Sequence, residues 1–145
     1  MKKFLRITLI LAVIGVIAAA LIWKFYINKP HADIEKAEPA YTMAAEQLWK
    51  EYNADLKLAD SLYTGKILEV SGTIGATEKG DSLSYVVFIM EADSMFGNKS
   101  IRCEMLPKYS GDAGSMKQGE PGKIKGYCNG YDQTDIKLSK CSIVK

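Results

Sequence analysis

Hydrophobic and polar positions fall into three regimes along this 145-residue chain. From Ile7 to Trp23 there are 17 residues without a charge, nearly all apolar, and starting at Phe4 with Arg6 snorkelling to the headgroups gives 20. As a helix this run spans roughly 26–30 Å at about 1.5 Å per residue, close to the hydrocarbon thickness of a bilayer. A cleaved signal peptide ends its apolar region after about 7–15 residues, at small side chains. Here the run continues past Ala18, Ala19 and Ala20 through Leu21, Ile22 and Trp23. Lys24, Phe25, Tyr26 and Lys29 follow, a mixture suited to a membrane interface. The pattern predicts an uncleaved transmembrane signal anchor over 1–23 that contacts the membrane through residues 4–23. Cleavage near the alanines is the alternative.

Residues 24–41 read as a tether, because Pro30 and Pro39 break helices and Asn28-Lys29-Pro30-His31 is a turn signal. His31 is the only histidine and reads as a solvated linker residue. The second regime has a period of three to four: Ala45, Leu48, Tyr52, Leu56, Ala59 and Tyr63 draw one apolar stripe. Thr42 is placed to cap the start, and Thr64-Gly65 to stop the end. One amphipathic helix over 42–63 is expected.

From Lys66 the period changes to two. Strands are expected over 66–74, 85–91, 100–106, 123–128 and 135–144, with a bend at Gly72 and a bulge near Ser139-Lys140. The connection 107–120 has no amphipathic period and many turn residues, so no helix is expected there. Five short strands in about 80 residues form a small barrel or sandwich. The helix 42–63 is the only apolar stripe left to cover its open end. The fold class is mainly β: a five-stranded OB-fold barrel, preceded by an amphipathic helix and a transmembrane helix, with the barrel domain over 42–145.

Charge narrows the chemistry. Lys2, Lys3 and Arg6 precede the apolar run, leaving 16 Lys and Arg against 17 Asp and Glu from Lys24 onward. A basic nucleic-acid-binding domain would carry a clear positive surplus. If an OB barrel did bind a ligand, Tyr85, Tyr127 and Tyr131 could stack on it, and Arg102 and Lys125 could supply charge. Acidic Glu78, Asp81, Asp132 and Asp135 sit in the loops flanking that face, which makes nucleic acid an unlikely partner. No spacing resembles a metal cluster, a phosphate loop or a nucleophile–base pair, so no catalysis, metal or cofactor is implied.

Ala59, Tyr63, Gly65, Lys66, Val70, Ser71, Gly72, Cys103, Gly126, Cys128, Gly130 and Cys141 form an ordered set of short motifs across 42–145. In order and spacing they resemble the tRNA_anti-like family of bacterial envelope proteins, which have an OB-fold. That resemblance implies a binding domain, with no established catalytic residues to carry over. Many members are lipoproteins, but no cysteine precedes Cys103 here, so a transmembrane anchor replaces the lipid. A short basic stretch before the span favours an inside amino terminus. The expectation is a single-pass protein of the bacterial inner membrane with its C-terminal domain in the periplasm. Its function would be a non-enzymatic binding or interaction module, with another envelope protein as a possible partner and nucleic acid as the alternative ligand.

Three cysteines in an oxidising compartment leave one odd sulfur. Alternation turns Cys103, Cys128 and Cys141 inward. Cys128 with Cys141 is the favoured disulfide, because a tight loop joins their strands. Cys103 with Cys141, Cys103 with Cys128, and three free buried thiols remain open.

Overall fold

The computed structural model describes residues 2–22, 33–92 and 97–145. The chain divides into two compact units, 1–32 and 33–145. In the first, helix α1 covers Lys2–Ile22, 21 residues. Its side chains are described only from residue 12 onward, and among the described residues no helix is long and apolar enough to cross a membrane. His31 lies outside the described residues.

The second unit begins earlier than the tether suggested. Asp33–Ala40 packs on the domain as a strap. Asp33 accepts from the amides of Lys36 and Ala37 at 2.9 Å, and Ile34 is buried. Glu35 accepts a hydrogen bond from Tyr109 and pairs with Lys108. The Lys125 ammonium donates to the carbonyls of Glu35 and Ala37, each at 2.9 Å. The Lys108 ammonium, then the Tyr109 hydroxyl, hold the Glu35 carboxyl below its usual range. A group with a depressed folded pKa contributes above its unfolded value and loses that contribution as pH falls through the folded one. Proteolysis within 33–40 should therefore speed up in Glu35→Gln, and in the parent as pH drops below the carboxylate range. Cleavage that ignores both changes would show that the clasp does not hold the strap.

β1 (Tyr41–Ala44) follows and pairs in parallel with β2 (Ile67–Thr73), Tyr41 opposite Leu68. Thr42 is therefore a strand residue and not a helix cap. Its β-branched side chain and the neighbouring Tyr41 suit an extended edge better than a first turn. The expected single helix is two. α2 (Ala45–Ala54) ends at Asp55, whose φ of −152° and ψ of 96° leave the helical region. The Asp55 carboxylate then caps α3 (Leu56–Tyr63) by accepting from the Leu58 amide at 3.0 Å. The stripe is buried at Ala45, Leu48, Tyr52, Ala59 and Tyr63, with Trp49 beside it also buried, while Leu56 faces solvent. Gly65, at φ +82°, ends α3 as expected.

The strands are β2, β3 (Ala76–Lys79), β4 (Ser84–Glu91), β5 (Lys99–Met105), β6 (Pro121–Tyr131) and β7 (Asp135–Ile143), joined to β1 in one seven-stranded sheet. Its order is β1-β2-β6-β7-β5-β4-β3, an open ladder and not the closed five-stranded barrel expected. β2 and β3 are halves of one bent segment. Thr73 still faces Pro121 of β6, the Ile74 amide bonds Glu120, and the Gly75 amide bonds Val87 of β4 at 2.8 Å. The bend is thus at Gly75 and not Gly72. Gly72 stays in register opposite Gly122 and leaves room for Ala45 and Phe88, which a Cβ would meet at 2.9 and 3.2 Å.

Two caps close the core. α2 lies against Phe88 on the inner face of β4, as the stripe suggested. The second cap corrects the expected loop: a 3₁₀ turn at Pro107–Tyr109 leads into α4 (Ser110–Ser115), which packs on β3 and β4 with Ala113 buried. Pro107 suits a first turn, since its missing N–H has no intrahelical partner there.

The cysteines are three free, buried thiols. The expected Cys128–Cys141 bridge is absent because the β6–β7 register sets Cys128 opposite Leu138. The bulge falls where alternation slipped, at Ser139-Lys140, with Lys140 at φ +54°. It turns Cys141 toward Gly126, not toward Cys128.

Candidate functional site

The outward rows of β3, β4, β5 and β7 meet on one face. Glu78 is opposite Tyr85, Tyr85 opposite Glu104, and Arg102 opposite Lys137. Period-two alternation alone sets these positions, because the intervening Val86, Ile101, Cys103 and Leu138 are buried in the core. The Arg102 guanidinium reaches over β4 to Glu78 at 2.6 Å and lies 5.3 Å from the centre of the Tyr85 ring. Its Nε is buried without a hydrogen-bond partner among the described residues. Beside it a shallow cleft of about 190 Å³ is lined by Tyr85, Arg102, Glu104, Asn129, Lys137 and Leu138.

The cations here are already engaged. Lys137 pairs with Asp132 at 2.5 Å. The Asp132 carboxylate also accepts from the amides of Asp135, at 2.9 Å, and Thr134, which fixes the β6–β7 turn. Lys137, then the Asp135 amide, keep the Asp132 carboxyl below its ordinary range, and Asp132 raises the Lys137 ammonium in return. The face therefore offers paired charges and hydrogen-bonding groups rather than a row of unneutralised cations.

Of the five candidate ligand residues, Tyr85 and Arg102 come together in this cleft. Lys125 is spent on the strap carbonyls. Tyr127 is exposed on β6, opposite Ile67 and Ser139, and does not line the cleft. Tyr131 packs edge-on to Trp49 with centroids 6.0 Å apart, lies 6.1 Å from Tyr52, and donates to the Gln133 carbonyl. It belongs to the helix–sheet packing. Glu104, Asn129 and Lys137 complete the lining and are not among those five. Glu104 shares the strand face of Arg102, so alternation already carried that signal; Lys137 needed the parallel β5–β7 register.

A second polar cluster lies inside. The Tyr52 hydroxyl is 3.7 Å from the Cys128 sulfur. Burial pushes up both the Tyr52 phenol and the Cys128 thiol, which keeps them protonated and disfavours nucleophilic use. Among the described residues no group of three or more histidine, cysteine or carboxylate side chains could hold a metal ion.

Several solved structures are similar to this chain. A lipoprotein from Klebsiella pneumoniae, assigned provisionally to nucleic-acid binding, is 20% identical, with a TM-score of 0.55 over 81% of this chain and all of that one. The Stn1–Ten1 complex of S. pombe aligns at 14% identity and a TM-score of 0.38, over 55% of this chain and 58% of that one. A provisional aspartyl-tRNA synthetase from Leishmania major aligns at 11% and 0.47, over 74% of this chain and 21% of that one. Among curated proteins none matches. The first likeness supports an OB-like architecture built mainly of β-sheet with added helices. Residues 1–143 match the tRNA_anti-like family, and the chain belongs to it.

Proposed function

We propose that this protein is a membrane-anchored, non-enzymatic binding module whose OB-like domain faces the periplasm. Residues 4–23 would hold it in the bacterial inner membrane, and the Tyr85–Arg102 cleft would take the ligand. The anchor reading rests on the uninterrupted apolar run from Ile7 to Trp23. The observation that carries the choice of ligand is the pairing of Arg102 with Glu78 and of Lys137 with Asp132. A groove that follows a phosphate backbone gains its affinity by releasing counterions from phosphates, which needs cations not already neutralised by the protein. Paired charges with Tyr85, Asn129 and Glu104 suit a polar, mixed-charge segment of another envelope protein. Single-stranded nucleic acid is the second reading, favoured by Arg102 lying over the Tyr85 ring, an arrangement on which a base could stack.

Full-length chain in detergent, titrated with labelled single-stranded DNA and RNA at physiological salt, separates the two. Weak binding that is unchanged in Arg102→Ala and Lys137→Ala is the expected result. Tight binding that falls steeply with salt and is lost in both variants would establish nucleic acid as the ligand. The same chain should stay with the membranes through an alkaline carbonate wash; its release would remove the anchor.

A further inference from the structure

Cys103 and Cys141 stand on neighbouring parallel strands and face the same interior. Cys103 is opposite Leu138 and Met105 is opposite Cys141, so one residue of β5, Glu104, is matched by two of β7, Ser139 and Lys140, across the bulge. Cys141 is thereby the diagonal neighbour of Cys103. Burial, then the neighbouring Cys103 thiol, pushes the Cys141 thiol up, and both side chains are fully buried. The Cys141 sulfur occupies space left by Gly126, where a Cβ would lie only 2.4 Å away. The third thiol is differently placed. Leu138 is opposite both Cys103 and Cys128, so those two cysteines are separated by two strand spacings, roughly 10 Å. That exceeds the Cα separation of about 7 Å beyond which a bridge needs backbone movement. Cys128 is instead turned to the Tyr52 hydroxyl.

We infer that Cys103 and Cys141 are the redox pair of this domain and become a disulfide in an oxidising compartment, with Cys128 left as a free thiol. The bond forms by thiol–disulfide exchange with an oxidised dithiol protein. One thiolate attacks the donor disulfide and makes a mixed disulfide. The other then displaces the donor sulfur. One S–S bond forms and one breaks; the donor takes two electrons and two protons and is released as a dithiol. Because neither sulfur reaches solvent in the folded domain, exchange takes place before β7 docks on β5. The bridge would then fasten the parallel pair whose ladder the bulge interrupts.

The setting rests on the periplasmic reading, while the choice of partners does not, and two measurements keep them apart. Full-length chain is unfolded and refolded in detergent with a mixed glutathione buffer, alkylated while denatured, and mapped by mass spectrometry. The expected result is one alkylated cysteine, Cys128, and a linked pair of peptides containing Cys103 and Cys141. Cys128→Ser should retain the link, and Cys103→Ser should leave Cys128 and Cys141 both alkylated. Three alkylated cysteines, or any link to Cys128, would overturn the pairing. Acid-trapped alkylation in intact cells then tests location: a pair that links in the glutathione buffer but stays reduced in cells overturns the periplasmic reading and leaves the pairing in place.

Discussion

Leu48→Ala is expected to lower the unfolding free energy by about 2–5 kcal/mol, whereas Leu58→Ala changes it by less than about 0.5 kcal/mol. Both residues sit on the helices that precede the sheet, and both lose the same atoms. Leu48 is fully buried in the core cluster that also holds Trp49, Tyr52, Phe88 and Leu68, while Leu58 is 56% exposed. Truncating Leu48 leaves a cavity that the sheet, held by its ladders, cannot collapse to fill. Truncating Leu58 removes an apolar side chain from water and leaves a better helix former. Urea unfolding of the two variants, with unchanged slopes, measures the difference. Equal losses would mean that α2 does not cap the core.

Gly75→Ala is expected to cost about 1–3 kcal/mol, the range for forcing atoms into a packed site. An added Cβ would lie 2.6 Å from Ile89 Cγ1 and 2.8 Å from both the Ile89 Cβ and its backbone nitrogen. A flexible side chain could move aside, but the Ile89 backbone is held in the β4–β5 ladder opposite Ser100. The cheaper response is to straighten the bend, which breaks the 2.8 Å bond from the Gly75 amide to Val87. Gly114→Ala is the matched control, since nothing lies within 4 Å of a Cβ there. It should gain about 0.5–1 kcal/mol by restricting the unfolded chain and favouring the helix. Thermal unfolding that places the two variants together would show that Gly75 is not a tight passage.

Strands β2, β4, β5, β6 and β7 were legible because alternation is a local signal, repeated along each segment, whereas β1 and β3, four residues each, are too short to show it. The bulge at Ser139-Lys140 was legible for the same reason, as a slip in that alternation. The break at Asp55 was not, because the apolar period runs through it unchanged. What divides α2 from α3 is one carboxylate capping the Leu58 amide. α4 left no trace since Gly111, Ala113 and Gly114 give a helix almost no apolar face. At the candidate site, strand alternation found Tyr85 and Arg102, which stay on the outer face whatever else packs. It could not place Lys125 and Tyr131, whose neighbours come from the strap and from α2, segments about 75–90 residues away in the chain. Whether an outward side chain is free depends on such distant segments, and no local pattern encodes them.

The parallel pairing of β5 with β7 also sets a timetable. Each of its contacts joins residues about 35 positions apart, with α4 and β6 in between. Closing so long a loop is entropically slow, and β5 must wait for all of that chain before its second edge is covered. In the interval the hairpin of β4 and β5 presents an unpaired edge beside the run Tyr85–Met90, six successive apolar residues. Such a segment is a template for intermolecular pairing. The concentration at which this chain is refolded therefore decides its fate: dilution gives β7 time to arrive first, and crowding lets another copy take its place.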